Sequence, residues 1–325
     1  MSQSRRGAVD APAPAGRSWR SGRRRLLASG ALLACGLVAA AATALAPRAG
    51  AGTAAVGGAL PTSASSNATL HVLAVADTGG GNAPQRAVAD QMAAVHRQRP
   101  VDLVIMGGDN IYDNGNLDRI EATFLRPYRE LLQAKVPFHA VLGNHDIRTE
   151  NGDPQVRYPL FGMKGRWYTL RRGPVEFFML DTNVNAAWQH QLPWLKQALA
   201  SSTAPWKVVV GHHPIYSSGL YGDDPVAKAR LVPWMQRHGV QLYINGHDHN
   251  YERSKPIDGI TYLTVGGGGA TLRPVLPGPN SARAVSAYSF AELRFTPSEL
   301  TIEAWNSQGK RLDQARLARG ASSSR

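Results

Sequence analysis

Five short apolar runs in the chain each end at a polar residue of a type that binds metal ions. The runs and the polar residues that end them are LHVLAVAD (Asp77), VDLVIMGGD (Asp109), FHAVLGNH (Asn144 and His145), WKVVVGHH (His212 and His213) and VQLYINGHDH (His247 and His249). Their length and β-branched content are typical of buried strands. The pattern therefore predicts five strands with a candidate ligand at the end of each.

Amphipathic helical patterns fill several of the intervals between these runs. The residues on the three apolar faces are Val88, Met92 and Val95; Ile120, Phe124, Tyr128 and Leu131; and Leu231, Trp234 and Met235. Strands that alternate with helices predict an α/β domain with largely parallel pairing. Because ligands bind beyond the carboxyl ends of the strands in such sheets, we expect the five polar ends to lie at one edge.

The polar residues at the strand ends offer oxygen and nitrogen ligands without thiolate. Such a set suits iron, manganese or zinc, and the single cysteine of the chain excludes a Cys-rich zinc site. A carboxylate has two oxygens and can bridge two cations. Two metal ions about 3.5–4 Å apart can hold the attacking and leaving oxygens of a phosphoryl displacement, with hydroxide drawn from bound water. The pattern therefore favours metal-assisted hydrolysis.

Each of these polar residues also has a structural interpretation when it is taken alone. Asp77 and Asp109 could cap the helices that follow their strands. Tyr112 could pack its ring in a turn, and Asn144 could form a turn after a glycine. All of them occur together after successive strands, and this combination favours the metal site.

The motifs ADTGG, GDNIY, GNHD, GHHP and GHDH occur in that order, and through them the chain resembles the calcineurin-like metallophosphoesterase superfamily. Typical members open with Asp-x-His, whereas Thr78 and Gly79 follow Asp77 here. Tyr112, three residues after Asp109, matches the replacement found in the purple acid phosphatase branch, which includes tartrate-resistant acid phosphatases. The resemblance covers about residues 69–270 and implies an α/β fold, a four-layer αββα sandwich of two mixed β-sheets flanked by helices.

The resemblance also implies two metal ions and a ligand set for each. The first ion, Fe(III), would be bound by Asp77, Asp109, Tyr112 and His249. The second ion, Fe(II), Zn(II) or Mn(II), would be bound by Asp109, Asn144, His212 and His247. Asp109 would bridge the two ions. His145 would be the catalytic residue that orients the phosphate and protonates the leaving alkoxide.

Two positions need separate treatment within this resemblance. Tyr221 stands where some members of the family carry a second histidine outside the ligand set, so His145 is expected to provide more of the acid function. His213 occupies a variable position of the GHHP motif, and we do not predict it as a ligand.

The resemblance implies a binuclear-metal phosphatase of the acid phosphatase type, and the export signal expected in residues 1–51 makes it an exported one. It would hydrolyse phosphate monoesters by metal-hydroxide attack. A phosphodiesterase on the same metal core is an alternative, because these ligands do not reveal how many esters the phosphorus carries. Segments 147–166 and 216–227, beside the predicted site, are expected to set that choice. A catalytically weak surface protein that binds phosphate or a polyanion is a second alternative.

The net charge of +13 is concentrated at the two ends of the chain. Residues 1–51 carry +7 and the stretch from residue 308 onward carries +4, which leaves +2 for residues 52–307. A nucleic-acid partner would require basic residues clustered on the folded domain. The charge distribution therefore predicts no nucleic-acid partner. The resemblance implies a phosphoester substrate, and the oligomeric state stays open.

The chain is predicted to have four segments. Residues 1–51 join the basic run Arg23–Arg25 to an uncharged apolar stretch, which is typical of an export signal and resembles the twin-arginine type. Residues 52–68 form a flexible linker, residues 69–307 the catalytic domain and residues 308–325 a frayed basic C-terminal tail.

The expected location is therefore periplasmic, cell-surface or secreted. Two alternatives to a cleaved signal stay open, a retained membrane-spanning helix and a lipid attached at Cys35. A membrane partner is expected only during export or if the signal is uncleaved.

Overall fold

The computed structural model describes residues 69–319, in which helices occur among the strands up to residue 237 and only strands follow from residue 242 to residue 318. The predicted export signal (1–51) and linker (52–68) lie outside the described residues, as do residues 320–325. Both segments therefore stay predictions.

The five apolar runs identified in the sequence are all strands. Thirteen strands lie within residues 69–319. They are β1 (Leu70–Val75), β2 (Leu103–Met106), β3 (Phe138–Ala140), β4 (Tyr168–Arg172), β5 (Val175–Met179), β6 (Trp206–Val210), β7 (Leu242–Asn245), β8 (Tyr251–Ser254), β9 (Thr261–Val265), β10 (Ser281–Val285), β11 (Ser289–Phe295), β12 (Glu299–Asn306) and β13 (Arg311–Ala318). The predicted runs correspond to β1, β2, β3, β6 and β7, which are buried along nearly their whole length.

The α-helices lie between these strands. They are α1 (Ala83–Gln98), α2 (Arg129–Gln133), α3 (Asp153–Arg157), α4 (Trp188–Ser201) and α5 (Pro225–Arg237). Helix α1 begins where Asn82 Oδ1 accepts a hydrogen bond of 2.9 Å from Gln85 N, with Pro84 in the first turn. It buries Val88 and Met92, as the periodicity predicted. Within residues 69–319, none of the helices is long and apolar enough to cross a bilayer.

The helix predicted over residues 120–131 is interrupted. A π-helical turn at Glu121–Leu125 precedes the short helix α2. Pro127 lies between them and has no backbone N–H, so it cannot donate the hydrogen bond that a continuous helix requires at this point. Phe124 and Tyr128 are nevertheless buried, because the two short elements pack the same apolar face.

The strands form two mixed sheets. The first has the order β13–β12–β11–β1–β2–β3, and the second has the order β10–β8–β9–β7–β6–β5–β4. Pairing is parallel among β1, β2 and β3 in the first sheet, and from β5 through β6 and β7 to β9 in the second. Antiparallel pairs complete both sheets. Each sheet therefore has a parallel region whose strands end at a common edge.

Four layers result from the way the sheets and helices pack. The main core lies between the sheets and joins Val72 and Ile105 of the first to Phe177, Val208 and Ile244 of the second. Helices α1 and α2 cover the outer face of the first sheet, and α4 and α5 cover the outer face of the second. The predicted four-layer αββα sandwich is confirmed.

The prediction of a frayed basic tail from residue 308 is wrong for residues 311–318. These residues form β13, the edge strand of the first sheet, and pair antiparallel with β12. Leu312 and Leu317 pack against the core between the sheets. The relevant signal in RLDQARLA is its spacing of apolar residues rather than its net charge.

Asp313 fixes this edge strand to the second sheet. Its carboxylate accepts hydrogen bonds from Arg253 Nε at 2.7 Å and from Tyr251 Oη at 2.8 Å. Both donors belong to β8. The catalytic domain therefore extends beyond the predicted boundary at residue 307 and includes β13.

Removal of β13 should destabilise the domain. A chain that ends at Asn306 would lose the hydrogen-bond ladder to β12, the packing of Leu317 and the contacts of Asp313. We expect the midpoint of thermal unfolding to fall by roughly 5–10 °C relative to a control chain that ends at Arg319. Circular dichroism measures both midpoints, and equal values would contradict the placement of β13.

Candidate metal centre

The loops that follow five strands meet where the carboxyl edges of the two sheets come together. Strands β1, β2 and β3 lead to Asp77, Asp109 and Asn144, and β6 and β7 lead to His212 and His247. The sequence predicted one sheet edge. The structure instead uses the edges of two sheets, so the packing of one sheet on the other determines whether the site forms.

Four atoms form the first donor set, namely Asp77 Oδ1, Asp109 Oδ2, Tyr112 Oη and His249 Nε2. Tyr112 Oη lies 3.1 Å from the Asp77 oxygen, 3.0 Å from the Asp109 oxygen and 3.3 Å from the His249 nitrogen. His249 Nε2 lies 3.5 Å from Asp77 Oδ1. The structure therefore brings together the four residues that the resemblance assigned to the first ion.

Four atoms form the second donor set, namely Asp109 Oδ2, Asn144 Oδ1, His212 Nε2 and His247 Nδ1. His212 Nε2 lies 3.1 Å from the Asn144 oxygen, 3.2 Å from the His247 nitrogen and 3.5 Å from the Asp109 oxygen. Neighbouring ligands of one ion have about this spacing when the metal–ligand bonds are about 2.0–2.3 Å. The four residues assigned to the second ion are also together.

Asp109 Oδ2 is the atom that both donor sets share. The other oxygen of this carboxylate, Oδ1, accepts a hydrogen bond of 2.9 Å from the backbone N–H of His145. Asp77 is held in the same way, because its Oδ2 accepts a hydrogen bond of 2.9 Å from the backbone N–H of His247. Each carboxylate is thus oriented by one oxygen and presents the other to the centre.

The histidines present unprotonated nitrogens to the centre. Nδ1 of His212 lies 2.9 Å from Gly107 O, and Nδ1 of His249 lies 2.7 Å from Thr271 O. A carbonyl oxygen only accepts, so both Nδ1 atoms carry the proton and both Nε2 atoms carry a lone pair. Burial lowers the pKa of His212 and of His249, and it lowers the pKa of His247 to about 2. All three rings are therefore neutral, the form that binds metals.

The crowding of acceptor atoms in both donor sets fits bound cations. Burial, together with the Asp109 carboxylate, raises the pKa of Asp77 well above its ordinary value. Burial and the same two carboxylates raise the pKa of Tyr112. The lone pair of His212 Nε2 faces Asn144 Oδ1 at 3.1 Å and Asp109 Oδ2 at 3.5 Å, and acceptor atoms this close in a buried place repel unless a cation lies among them. The residues present therefore fit two metal ions.

The backbone at the centre is strained. Asp77, Asp109 and His247 have φ values of 58°, 51° and 70°, in the left-handed region that non-glycine residues seldom adopt. Each such residue costs about 1–3 kcal/mol. Gly108 has φ of 92°, and a Cβ there would lie 2.6 Å from His212 Nδ1. The chain thus turns sharply after each strand so that the ligands face inward. Neither aspartate caps a helix, since Asn82 caps α1 and Asn116 caps the 3₁₀ turn that follows Asp109.

Comparison with known proteins decides the family. The calcineurin-like phosphoesterase family matches residues 70–251. The chain is 31% identical over 276 residues to purple acid phosphatase 17 of Arabidopsis thaliana, across 74% of this chain and 81% of that protein. The chain belongs to the calcineurin-like phosphoesterase family.

A second relative and a solved structure place this phosphoesterase more closely. It is 29% identical over 316 residues to tartrate-resistant acid phosphatase type 5 of Oryctolagus cuniculus, across 81% of this chain and 95% of that protein. A purple acid phosphatase from yellow lupin (Lupinus luteus) seeds matches with a TM-score of 0.68 and 22% identity, across 78% of this chain and 54% of that chain, which shows the shared fold. The predicted resemblance to the purple acid phosphatase branch is confirmed.

Tyr221 and His213 lie beside the centre of this phosphoesterase but outside both donor sets. The Tyr221 ring stacks on the His247 ring, with centroids 4.0 Å apart and 24° between the planes. The His213 ring lies 4.6 Å from that of His247. Thr182 Oγ1 accepts the backbone N–H of His212 and of His213, each at 3.0 Å, so its hydroxyl donates to His213 Nδ1 at 2.9 Å. The proton of His213 is then on Nε2. The rings of His212, His213 and His247 nevertheless offer atoms within 4.8 Å of one another, so the omission of His213 as a ligand stays a prediction.

His145 lies outside both donor sets, at a partly exposed edge of the phosphoesterase site. Its Nε2 lies 4.0 Å from Asp109 Oδ2, and its Nδ1 donates a hydrogen bond of 2.6 Å to Asp113 O. Arg148 donates to the same carbonyl at 3.1 Å, and its Nη2 lies 3.3 Å from His145 Nε2. The sequence analysis did not identify Arg148 as a site residue. The only feature of the sequence that could have indicated it is its position three residues after His145.

Asp146, in the GNHD motif, has a role that the sequence did not reveal. Its buried carboxylate accepts backbone hydrogen bonds from Asn110 at 3.0 Å, Ile111 at 3.1 Å and Gly143 at 2.8 Å, and a side-chain bond from Gln155 at 2.9 Å. It therefore joins the loop after β2 to the loop after β3, and both of these loops carry ligands.

Asp146→Asn should weaken metal binding by about 10- to 100-fold, because the new amide would turn an N–H group toward these N–H donors. Calorimetric titration with Zn²⁺, after a chelator has removed the metal from the protein, measures the affinity. Asp90→Asn is the matched control, since Asp90 is exposed on α1 and the charge change is the same. Equal affinities of the two variants would contradict the role of Asp146.

Proposed function

We propose that the protein is an exported acid phosphatase that hydrolyses phosphate monoesters with two metal ions. The observation that carries this proposal is the shared oxygen, Asp109 Oδ2. It lies 3.0 Å from Tyr112 Oη of the first donor set and 3.5 Å from His212 Nε2 of the second. Family membership and the acid phosphatase relatives support a metal-dependent phosphoric monoester hydrolase.

The two donor sets differ in chemistry, and this supports different ions in them. The first set contains two carboxylate oxygens, one phenol oxygen and one imidazole, which suits Fe(III). The second contains two imidazoles, one amide oxygen and the shared carboxylate oxygen, which suits Fe(II), Zn(II) or Mn(II). When bound, such a pair of cations polarises the phosphoryl group and supplies the nucleophile from water.

The residues around the donor sets would orient the substrate and protonate the leaving group. His145 keeps one proton on Nδ1, which donates to Asp113 O, so Nε2 is the atom that can carry a proton toward the leaving oxygen. The backbone N–H of His145 meanwhile orients Asp109 through Oδ1. One residue thus contributes its side chain to proton transfer and its backbone to the position of the shared carboxylate.

Export is proposed from residues 1–51 alone. Their basic run and uncharged apolar stretch support a twin-arginine-type signal, with the mature protein in the periplasm, on the cell surface or in the medium. The N-terminal sequence of the protein recovered from producing cells tests this proposal. A protein that still begins at Met1 and stays in the cytoplasm would contradict it.

Asp109→Asn should abolish both metal retention and activity, because an amide cannot supply the shared anionic oxygen. Elemental analysis after dialysis measures the metals. Assays with p-nitrophenyl phosphate and bis(p-nitrophenyl) phosphate measure monoester and diester hydrolysis, with Asp90→Asn as the control. A variant with two metals and normal turnover would contradict the site. Faster hydrolysis of the diester by the wild-type protein would favour a phosphodiesterase instead.

His145→Ala should keep the metals and lower turnover by about 10²–10⁴-fold, because proton donation to the leaving oxygen is lost while the backbone N–H to Asp109 remains. The loss should be larger for an alkyl phosphate than for p-nitrophenyl phosphate, whose leaving group needs less protonation. The matched control is His190→Ala, which changes an exposed histidine of α4. Equal losses on the two substrates would exclude an acid role for His145.

A further inference from the structure

Two loops form one wall beside the candidate metal centre. One loop follows β6 and carries Tyr221, and the other follows β9 and carries Arg273. The loops are joined through Ser218, whose Oγ accepts a hydrogen bond of 3.1 Å from Gly278 N and lies 2.9 Å from Ser281 Oγ. Tyr221 and Arg273 are therefore held on connected segments.

Arg273 is anchored to the segment that carries two of the ligands. Its Nη1 donates a hydrogen bond of 2.9 Å to His247 O, and its backbone N–H donates one of 3.1 Å to His249 O. The guanidinium carbon lies 4.8 Å from the centroid of the Tyr221 ring, which itself stacks on the His247 ring. A cation over an aromatic ring is stabilised in this geometry. Tyr221 thus fixes the position of the guanidinium.

Arg273 has no ion-pair partner among residues 69–319. No carboxylate of these residues lies within 4 Å of its guanidinium, whereas Arg166, Arg253, Arg294 and Arg311 all form ion pairs of 3.1 Å or less. Within the same residues, Nη1 is the only nitrogen of the Arg273 side chain that donates a hydrogen bond. A partly buried guanidinium with free donors beside a phosphoesterase site is suited to bind an anion.

The position of Arg273 indicates which anion it would bind. It donates a side-chain hydrogen bond to the backbone carbonyl of His247 and lies over the ring of Tyr221, and within residues 69–319 its side chain donates none to an atom of either donor set. The donor sets are the place for the phosphoryl group that reacts. The Arg273 guanidinium lies beside the donor sets and not within them, so it would contact a group that is attached to the reacting phosphoryl group. The planar fork of Arg matches a second phosphate, which it can bind through two parallel hydrogen bonds.

We propose that Arg273 binds a second phosphate group of the substrate, adjacent to the one that is hydrolysed, and that Tyr221 is the residue that positions it. This inference rests on the proposed function and extends its substrates from phosphate monoesters to compounds in which two phosphates are joined. Inorganic pyrophosphate is the simplest of them. Its hydrolysis consumes one water molecule, breaks one P–O bond and yields two orthophosphate ions.

Kinetics on two substrates test the proposal. In Arg273→Ala, kcat/KM for pyrophosphate relative to that for p-nitrophenyl phosphate should fall about 10- to 100-fold, mainly through KM, since hydrogen bonds to a charged group are lost. Arg273→Lys should restore part of this ratio because it keeps the charge. Tyr221→Ala should lower the ratio more than Tyr221→Phe, which keeps the ring. Arg126→Ala, an exposed arginine, controls for net charge.

Binding without turnover provides the second measurement. Calorimetry compares methylenediphosphonate, which carries two phosphonates, with methylphosphonate, which carries one. We expect Arg273→Ala to weaken methylenediphosphonate binding about 10-fold more than methylphosphonate binding. Equal weakening of both probes, or no change in either, would overturn the proposal. Thermal unfolding of each variant shows that the fold is retained.

The two measurements distinguish this inference from the proposed function. If the wild-type protein hydrolyses neither phosphate substrate, the proposed function fails, while the binding comparison still reports on Arg273. Suppose instead that the wild-type protein is active, and that Arg273→Ala and Arg126→Ala have the same relative kcat/KM for the two substrates and the same relative affinity for the two phosphonates. The inference about Arg273 then fails and the proposed function stands.

Discussion

The crowding of buried metal-binding atoms around Asp109 Oδ2 is the constraint on which the rest of the structure depends. This oxygen lies within 3.5 Å of a phenol oxygen and of an imidazole nitrogen that belong to different donor sets. A folded protein tolerates such a cluster only if cations compensate it or if the surrounding structure holds it in place. Here the surrounding fold holds the cluster in place, and the chemistry of the donor atoms fits bound cations.

The two-sheet architecture supplies the rigidity that the cluster needs. The first sheet provides Asp77, Asp109 and Asn144, and the second provides His212 and His247. Neither sheet alone forms a complete donor set, so the apolar core between the sheets fixes the distance between the two groups of ligands. The same core offsets the strained left-handed backbone at three of the ligands. Stability and site geometry therefore have a common origin.

The sequence was most informative where a strand ends in a ligand. Buried strands have a continuous apolar pattern, and the polar residue that ends each one is visible without knowledge of the fold. The sequence was misleading at β13, because five basic residues from Lys310 onward mask an apolar spacing that packs on the core. It also failed at Pro127, where a continuous apolar face conceals a break in the backbone hydrogen bonds.

Residues that act through long-range contacts could not be predicted from local patterns. Asp146 joins two loops through donors up to 36 residues away in the chain. Arg273 lies 26 residues from His247, and only the folded chain brings it beside Tyr221. Such contacts depend on how the sheets and loops pack, which the motif order does not specify. The residues of the two donor sets could therefore be named from the sequence, whereas the residues that hold them or extend the site could not.

The number of metal ions per chain tests the central claim most directly. Elemental analysis of the purified and dialysed wild-type protein, with its visible absorption spectrum, measures both the count and the type of ion. The account predicts two ions per chain, at least one of them iron, and an absorption band from charge transfer between the Tyr112 phenolate and Fe(III). One ion or none per chain, in protein that hydrolyses a phosphate monoester, would contradict it.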